Sequence, residues 1–156
     1  MTPQQLMRRA IDLASANAAG GAGGPFGAVI VRNGEVIAEG VNLVTSTNDP
    51  TAHAEIVAIR RACSHLGHFQ LTECELYTSC EPCPMCLGAI YWARPAAIWY
   101  AGTHAQAAEA GFDDSFIYQQ TRLRSEERAI PMRPLLSEAG NEPFAAWLEN
   151  HRRVPY

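Results

Sequence analysis

Several features that would place this chain in a membrane, secreted or nucleic-acid-binding class are missing. No run approaches eighteen apolar residues, so no segment is predicted to span a bilayer. No basic stretch followed by an apolar core indicates a signal peptide. The net charge of −4 argues against a dedicated nucleic-acid surface, which needs clustered lysine and arginine. Five cysteines, an odd number, do not indicate a disulfide framework, and a cytoplasmic location is expected.

The chain also lacks internal repeats and linkers, so its 156 residues favour a single domain over 1–156. Thr2-Pro3 resembles a helix start with a capping box. Two β-rich runs, 26–32 and 35–41, are joined by Asn33-Gly34, a strong hairpin signal. The later segments are predicted as a helix over 49–63 capped by Asp49, a strand over 75–78, a helix over 84–93, a strand over 96–102, a short helix over 105–111 and a final helix carrying Phe144, Trp147 and Leu148. This alternation predicts an α/β fold with its site at the ends of strands.

One segment reads His-Ala-Glu from position 53, and another reads Pro-Cys-Pro-Met-Cys from position 82. Together they match the H-x-E…P-C-x-x-C signature of zinc-dependent nucleobase deaminases. The imidazole of His53 and the thiolates of Cys83 and Cys86 are suited to hold Zn²⁺ and leave a fourth position for water. Zinc lowers the pKa of such water to about 7. Glu55, two residues after the histidine, is placed to move protons.

Cys80 is the rival ligand, because with Cys83 and Cys86 it forms a C-x-x-C-x-x-C run. If all three thiols joined the histidine, the site would be a closed structural centre. Pro84 suits the first turn of a helix, which would bring Cys83 and Cys86 onto one face. Cys80 precedes a proline-containing stretch and would point from a different backbone segment. We therefore expect Cys80 to be a buried structural thiol near the site.

The chain resembles the cytidine-deaminase-like superfamily and, within it, the guanine deaminases of that fold. The resemblance is carried by segment 25–29 (PFGAV), Asn42, segment 51–55 (TAHAE), segment 80–90 (CEPCPMCLGAI) and segment 108–118 (AEAGFDDSFIY). The superfamily shares the zinc motifs, and segment 108–118 is the part typical of guanine deaminases. The resemblance implies a three-layer α-β-α fold with a mixed five-stranded sheet flanked by helices.

The resemblance also implies a reaction and a role for each site residue. Guanine is hydrolysed at C2 to xanthine and ammonia, with Glu55 as the proton shuttle and one Zn²⁺ per chain on His53, Cys83 and Cys86. Further contacts with the purine base are implied for Phe26, Asn42, Ala54, Asp114 and Tyr156. A homodimer is implied in which the C-terminal segment, about 131–156, crosses to the neighbouring subunit and closes its site. Neither nucleic acid nor a membrane is an expected partner.

Asp114 bears directly on which base is accepted. Guanine presents N1–H and N2–H donors that a carboxylate can accept, whereas the bare N1 of adenine would be repelled by Asp114. The alternative for Asp114 is a helix cap within Asp113-Asp114-Ser115. The alternative for Asn42 is a turn-forming residue after a strand.

Three other functional classes stay open at this point. A tRNA adenosine deaminase shares the zinc motifs and acts on a flipped base, but it should show a basic face, and only Arg152-Arg153 cluster here. A deaminase of another small aminated ring, such as cytosine or an s-triazine, has the same motifs. A non-catalytic zinc protein is disfavoured by Glu55 and by the lack of a clear fourth ligand. His104 is expected to be a solvated loop histidine, and Glu81 either bonds to backbone near the cysteine loop or is a solvated acidic residue.

Overall fold

The computed structural model describes all 156 residues and divides them into two compact units, Met1–Asp114 and Ser115–Tyr156. The helices of the first unit are α1 (Pro3–Gly20), α2 (Val44–Thr47), α3 (Ala54–Leu66), α4 (Pro84–Ala93) and α5 (His104–Glu109). Its strands are β1 (Gly27–Arg32), β2 (Glu35–Val41), β3 (Cys74–Cys80) and β4 (Ala97–Gly102). The second unit contains α6 (Ser115–Arg122), α7 (Glu142–Glu149) and two 3₁₀ turns at Ser125–Glu127 and Ser137–Ala139. None of the helices combines the length and hydropathy that a bilayer crossing requires.

The four strands form one mixed sheet in the order β2-β1-β3-β4. Strand β1 is antiparallel to both β2 and β3, whereas β3 and β4 are parallel. Alternate residues of β1 serve opposite faces, since Ala28 and Ile30 belong to one buried cluster and Val29 and Val31 to the other. Helix α1 packs on the second face, and α3 and α4 pack on the first. The three-layer α-β-α prediction is therefore confirmed.

The prediction of five strands is wrong. That number came from the resemblance, because only four β-rich runs precede position 103. The residues after β4 form short helices, turns and irregular segments. Pro131 and Pro134 fall in the irregular stretch, where a strand would need the backbone N–H groups that proline lacks. Strand β4 therefore lies at the edge of the sheet.

The helix starts follow the sequence signals, with one exception. Thr2 and Gln5 form the predicted capping box of α1, and Pro84 is the first residue of α4. The prediction that Asp49 caps the next helix is wrong. Its Oδ1 accepts hydrogen bonds from the N–H and the hydroxyl of Thr51, at 2.8 and 2.6 Å, and so closes a local turn. Helix α3 begins four residues after that turn's proline, with His53 in the N-cap position.

Small residues allow α3 to lie directly on β2. A Cβ atom added to Gly40 would lie 2.1 Å from the carbonyl oxygen of Ala54 and 2.6 Å from the amide nitrogen of Ala58. Ala54, Ala58 and Ala62 are fully buried along the same helix. The backbone of α3 thus approaches the sheet more closely than any larger side chain would permit.

We expect Gly40→Ala to lower the free energy of unfolding by about 3 kcal/mol, because the new methyl group meets backbone that has no room to move aside. The matched control is Gly20→Ala at the end of α1, where an added Cβ meets nothing within 4 Å. Urea unfolding of both variants measures the difference. Equal midpoints for Gly40→Ala and Gly20→Ala would contradict the close approach of α3 to β2.

Candidate metal and active site

The starts of α3 and α4 bring three metal-binding side chains together. His53 is the N-cap residue of α3 and Cys83 is the N-cap residue of α4. His53 Nδ1 lies 3.5 Å from Cys83 Sγ and 3.5 Å from Cys86 Sγ. The ligand atoms of all three residues lie within 4.8 Å of one another. The sequence prediction of this set is matched by the side-chain geometry.

These separations suit a tetrahedral zinc ion. Zn–S bonds of about 2.3 Å and Zn–N bonds of about 2.0–2.1 Å, set at the tetrahedral angle, require an S···N separation of about 3.5 Å. Both measured S···N distances are 3.5 Å. Three nitrogen and sulfur donors with one position left over are the set that a catalytic zinc site uses. The residues present therefore fit the group that the motif predicts.

The two thiols and the imidazole are electrostatically coupled. The hydrogen bond with Cys86, joined by His53, lowers the pKa of Cys83 to about 4 against the effect of burial. The same hydrogen bond, with burial and the nearby Glu55 carboxylate, raises the pKa of Cys86. The pKa of His53 is raised, chiefly by its hydrogen bond to Cys83. One thiolate is thus already favoured at neutral pH, and a bound dication would favour the second.

Glu55 lies buried in the first turn of α3, beside the three-donor cluster. Its Oε1 accepts a hydrogen bond of 3.3 Å from the Thr78 hydroxyl on β3. Its Oε2 is 3.5 Å from Cys86 Sγ. Burial is the largest effect on the carboxyl group, and it raises the pKa of Glu55. A carboxyl group held in one orientation and with a raised pKa is suited to both accept and return a proton.

Cys80 lies apart from the cluster. Its Sγ is 3.7 Å from the carbonyl oxygen of Thr103, to which it donates, and it does not belong to the three-donor set. It is half-buried at the end of β3. Burial first, and then the nearby carboxylate of Glu55, raise the pKa of this thiol. Cys80 thus has a thiol that favours its neutral form and bonds to backbone, as a structural cysteine would.

Asn42 is buried, and its amide orientation is fixed by its neighbours. Its Oδ1 accepts from the backbone N–H groups of Gly24, at 3.3 Å, and Val44, at 3.2 Å. The side chain of Asn17 donates to the Asn42 carbonyl oxygen at 2.9 Å. Because Oδ1 serves two backbone donors, Nδ2 is the group that Asn42 has to offer a ligand. The turn-forming role and a donor role are therefore compatible in one residue.

Two aromatic rings lie beside this turn. Phe26 and Phe112 pack edge to face with centroids 5.0 Å apart, and the carbonyl oxygen of Phe26 accepts from Asn42 N–H at 3.1 Å. Ala54 directly follows His53 in the sequence, but its side chain is fully buried in the core. A contact of Ala54 with a base would use its backbone N–H, which starts α3 and has no acceptor within the helix.

His104 lies between two carboxylates, an arrangement that its position in the sequence does not predict. Its Nδ1 lies 3.2 Å from Asp114 Oδ2, and its Nε2 lies 3.6 Å from Glu81 Oε2. The side chains of His104, Glu81 and Asp114 are 30%, 34% and 18% exposed, so His104 is not the fully solvated loop histidine that was expected. Glu81 Oε2 accepts the backbone N–H of His104 at 3.3 Å, which agrees with the first of its two expected roles. No spacing rule joins positions 81, 104 and 114, and only the pairing of β3 with β4 brings the first two together.

The remaining predicted contact residue lies elsewhere in the chain. Tyr156 belongs to the second unit, and its side chain is exposed. Its contact with a base stays a prediction.

Comparison with known proteins agrees with this site. The family model described as the cytidine and deoxycytidylate deaminase zinc-binding region matches residues 1–102. The guanine deaminase of Bacillus subtilis is 58% identical over 147 residues, which cover 94% of each chain. The X-ray structure of guanine deaminase from Bacillus subtilis superposes with a TM-score of 0.98, at 56% identity, covering 100% of this chain and 99% of that one. A tRNA-specific adenosine deaminase of Agrobacterium fabrum is 45% identical over 89 residues, 56% of this chain and 59% of its own.

We expect one zinc per chain, and we expect Cys83→Ala and Cys86→Ala to lose it, because each removes one of only three protein donors. Cys80→Ala is the matched control and should keep its zinc, since its thiol bonds to backbone instead. Metal analysis of the purified variants checks this. If Cys80→Ala lost as much zinc as Cys83→Ala, the assignment of His53, Cys83 and Cys86 as the three protein donors would be contradicted.

Proposed function

The chain belongs to the cytidine and deoxycytidylate deaminase zinc-binding family, and from this premise we propose that it hydrolyses guanine to xanthine and ammonia. The observation that carries the chemistry is the His53, Cys83 and Cys86 cluster with the buried Glu55 beside it. Similarity to a guanine deaminase over nearly the whole chain supports the choice of base. Zinc held by the three donors supplies Lewis acidity, which brings the pKa of water to about 7.

Glu55 is the catalytic residue in this proposal. Its carboxylate takes a proton from the attacking water as the new C2–O bond forms, and it gives that proton to a ring nitrogen. It then moves the proton of the new C2 hydroxyl to the C2 amino group, so that the C2=O bond forms, the C2–N bond breaks and ammonia leaves. Burial supports these transfers because it raises the pKa of Glu55 above its ordinary value and so makes the carboxylate a stronger base. The Thr78 hydroxyl on Oε1 holds the carboxylate in one orientation.

Asn42 and Asp114 are proposed to select the base. Asn42 has its Nδ2 group to donate to an acceptor of the purine, because its Oδ1 is engaged by backbone. Asp114 is proposed to accept from N1–H and N2–H of guanine. A site with a carboxylate in that position disfavours adenine, whose N1 is a bare acceptor. Phe26, beside Phe112, supplies an aromatic surface for the ring, and the N–H of Ala54 completes the proposed contacts.

A tRNA adenosine deaminase is the competing function, because one such enzyme is 45% identical to this chain over 89 residues. The net charge of −4 and the carboxylate of Asp114 both disfavour it. None of the five cysteines forms a disulfide, which supports a location in a reducing compartment such as the cytoplasm.

A homodimer is proposed from exposed apolar surface on the first unit. Tyr91 and Trp92 on α4 are 74% and 63% exposed, and Ile98, Trp99 and Tyr100 on the edge strand β4 are also exposed. Monomeric proteins rarely present aromatic clusters of this kind to water. A second copy of the chain, with the same surface, is the occupant that we propose.

Exchange of the C-terminal segment, about 131–156, between two subunits is proposed from the burial of the second unit. None of the residues of the second unit, Ser115–Tyr156, is buried. Its exposed apolar side chains include Ile130, Leu135, Leu136, Phe144, Leu148 and Val154. A stretch that buries none of its own apolar residues gains stability only by packing against other protein. A segment that crosses to the partner subunit would gain that burial, and it would place Tyr156 as a lid that excludes water from the site.

We expect guanine, among guanine, adenine, cytosine and a short tRNA stem-loop, to release ammonia fastest. Glu55→Gln keeps the shape of the side chain but removes the base, so kcat for guanine should fall by at least about 10²–10⁴-fold with zinc retained. Ammonia release and metal analysis on the same preparations provide the readout. Faster turnover of the stem-loop would favour the tRNA function, and a Glu55→Gln enzyme within a few-fold of the parent would refute the proton role.

Deleting residues 154–156 should sharply lower guanine turnover while zinc content and the dimer stay intact, because the lid is removed and the metal cluster is not touched. Mixed dimers identify which subunit the lid closes. Refolding Glu55→Gln together with the truncated chain should partly restore activity, since one site then has an intact Glu55 and an intact partner tail. No restoration, in dimers shown to be mixed, would mean that each tail closes its own subunit.

A further inference from the structure

A chain of three side chains links the zinc-ligand loop to the proposed base-recognition residue. The His104 imidazole lies between two carboxylates, with Nδ1 3.2 Å from Asp114 Oδ2 and Nε2 3.6 Å from Glu81 Oε2. Glu81 is two residues before Cys83. The imidazole is therefore the bridge between the metal-binding loop and Asp114.

The backbone on the metal side of this bridge is held by several hydrogen bonds. Glu81 N–H donates to the carbonyl oxygen of Gly102 at 2.9 Å, and His104 N–H donates to Glu81 Oε2 at 3.3 Å. Cys80 Sγ donates to the Thr103 carbonyl oxygen at 3.7 Å. The ends of β3 and β4 thus fix the backbone of His104 relative to the loop that carries the thiolates.

Asp114 lies on the same side of the fold as the other site residues. Its carboxylate contacts His104, which follows β4, and the end of β4 pairs with the end of β3 at Cys80 and Gly102. Phe112, two residues before Asp114, packs edge to face on Phe26.

We propose that His104 is a positioning residue, which holds the Asp114 carboxylate in the orientation that accepts guanine N1–H and N2–H. The proposal rests on the function proposed above and deepens it by naming the residue that orients Asp114. His104 does not touch the base or the metal. It acts through the carboxylate of Asp114. A displacement of about 1 Å would take that carboxylate out of hydrogen-bonding range of guanine.

Positioning through Asp114 has a kinetic signature. A group that binds substrate and transition state equally well affects KM and leaves kcat nearly unchanged. His104→Ala is expected to raise KM for guanine by about tenfold to hundredfold with a smaller change in kcat. Asn at position 104 presents an amide near the position of Nδ1, and Gln presents one near the position of Nε2. His104→Asn should therefore restore most of the loss, and His104→Gln should not.

The test measures kcat and KM for guanine in the full-length zinc-loaded protein for His104→Ala, His104→Asn, His104→Gln, Asp114→Ala and the double variant Asp114→Ala/His104→Ala. His65→Ala, an exposed histidine in the last turn of α3, is the surface control. Zinc content and the unfolding midpoint are recorded for each protein. If His104 acts only through Asp114, the double variant should match Asp114→Ala to within about twofold, because no contact is left for the second change to remove.

Losses that multiply in the double variant would overturn the proposal, as would rescue by Gln in place of Asn. A loss of zinc or of folding in His104→Ala that Asn fails to repair would assign His104 to the scaffold instead. A parent protein that releases no ammonia from guanine would defeat the proposed function itself. That outcome is distinct from an active parent whose His104 variants fail the predicted pattern.

Discussion

The convergence of two helix starts is the constraint on which the site depends. His53 and Cys83 are both N-cap residues, one on α3 and the other on α4, and His53 Nδ1 is 3.5 Å from both thiols. A helix N-terminus favours negative charge, because its first N–H groups have no partner within the helix. Two thiol groups and a carboxyl group therefore lie where the backbone favours their anionic forms. A displacement of either helix would separate donors that zinc requires at a fixed distance.

Small residues hold those helix starts in place. Gly40 lets the carbonyl of Ala54 come against β2, and Ala54 immediately follows His53. Buried alanines continue this contact along α3. Glu55 is then directed at the sheet, where the Thr78 hydroxyl binds it. Small residues away from the metal donors thus set the distance between the Glu55 carboxyl group and those donors.

Local signals account for what could be predicted from the sequence. The Asn33-Gly34 turn, the capping box at Thr2 and the helix start at Pro84 are each encoded within a few residues, and all three are observed. The metal cluster was also predictable, because its donor types and spacings are chemically restrictive. Asp49 misled the prediction because its side chain binds the nearby Thr51 and not a helix N-terminus. The fifth strand had no sequence signal of its own, and the count failed for that reason.

The bridge through His104 was beyond sequence reasoning for a different reason. Its partners lie 23 and 10 positions away, and the contact exists only because the ends of β3 and β4 pair at Cys80 and Gly102. The match to the deaminase family model ends at Gly102. His104 and Asp114 follow within twelve positions, outside the matched residues. The contacts of His104 therefore join Glu81, inside the matched part of the chain, to Asp114, outside it.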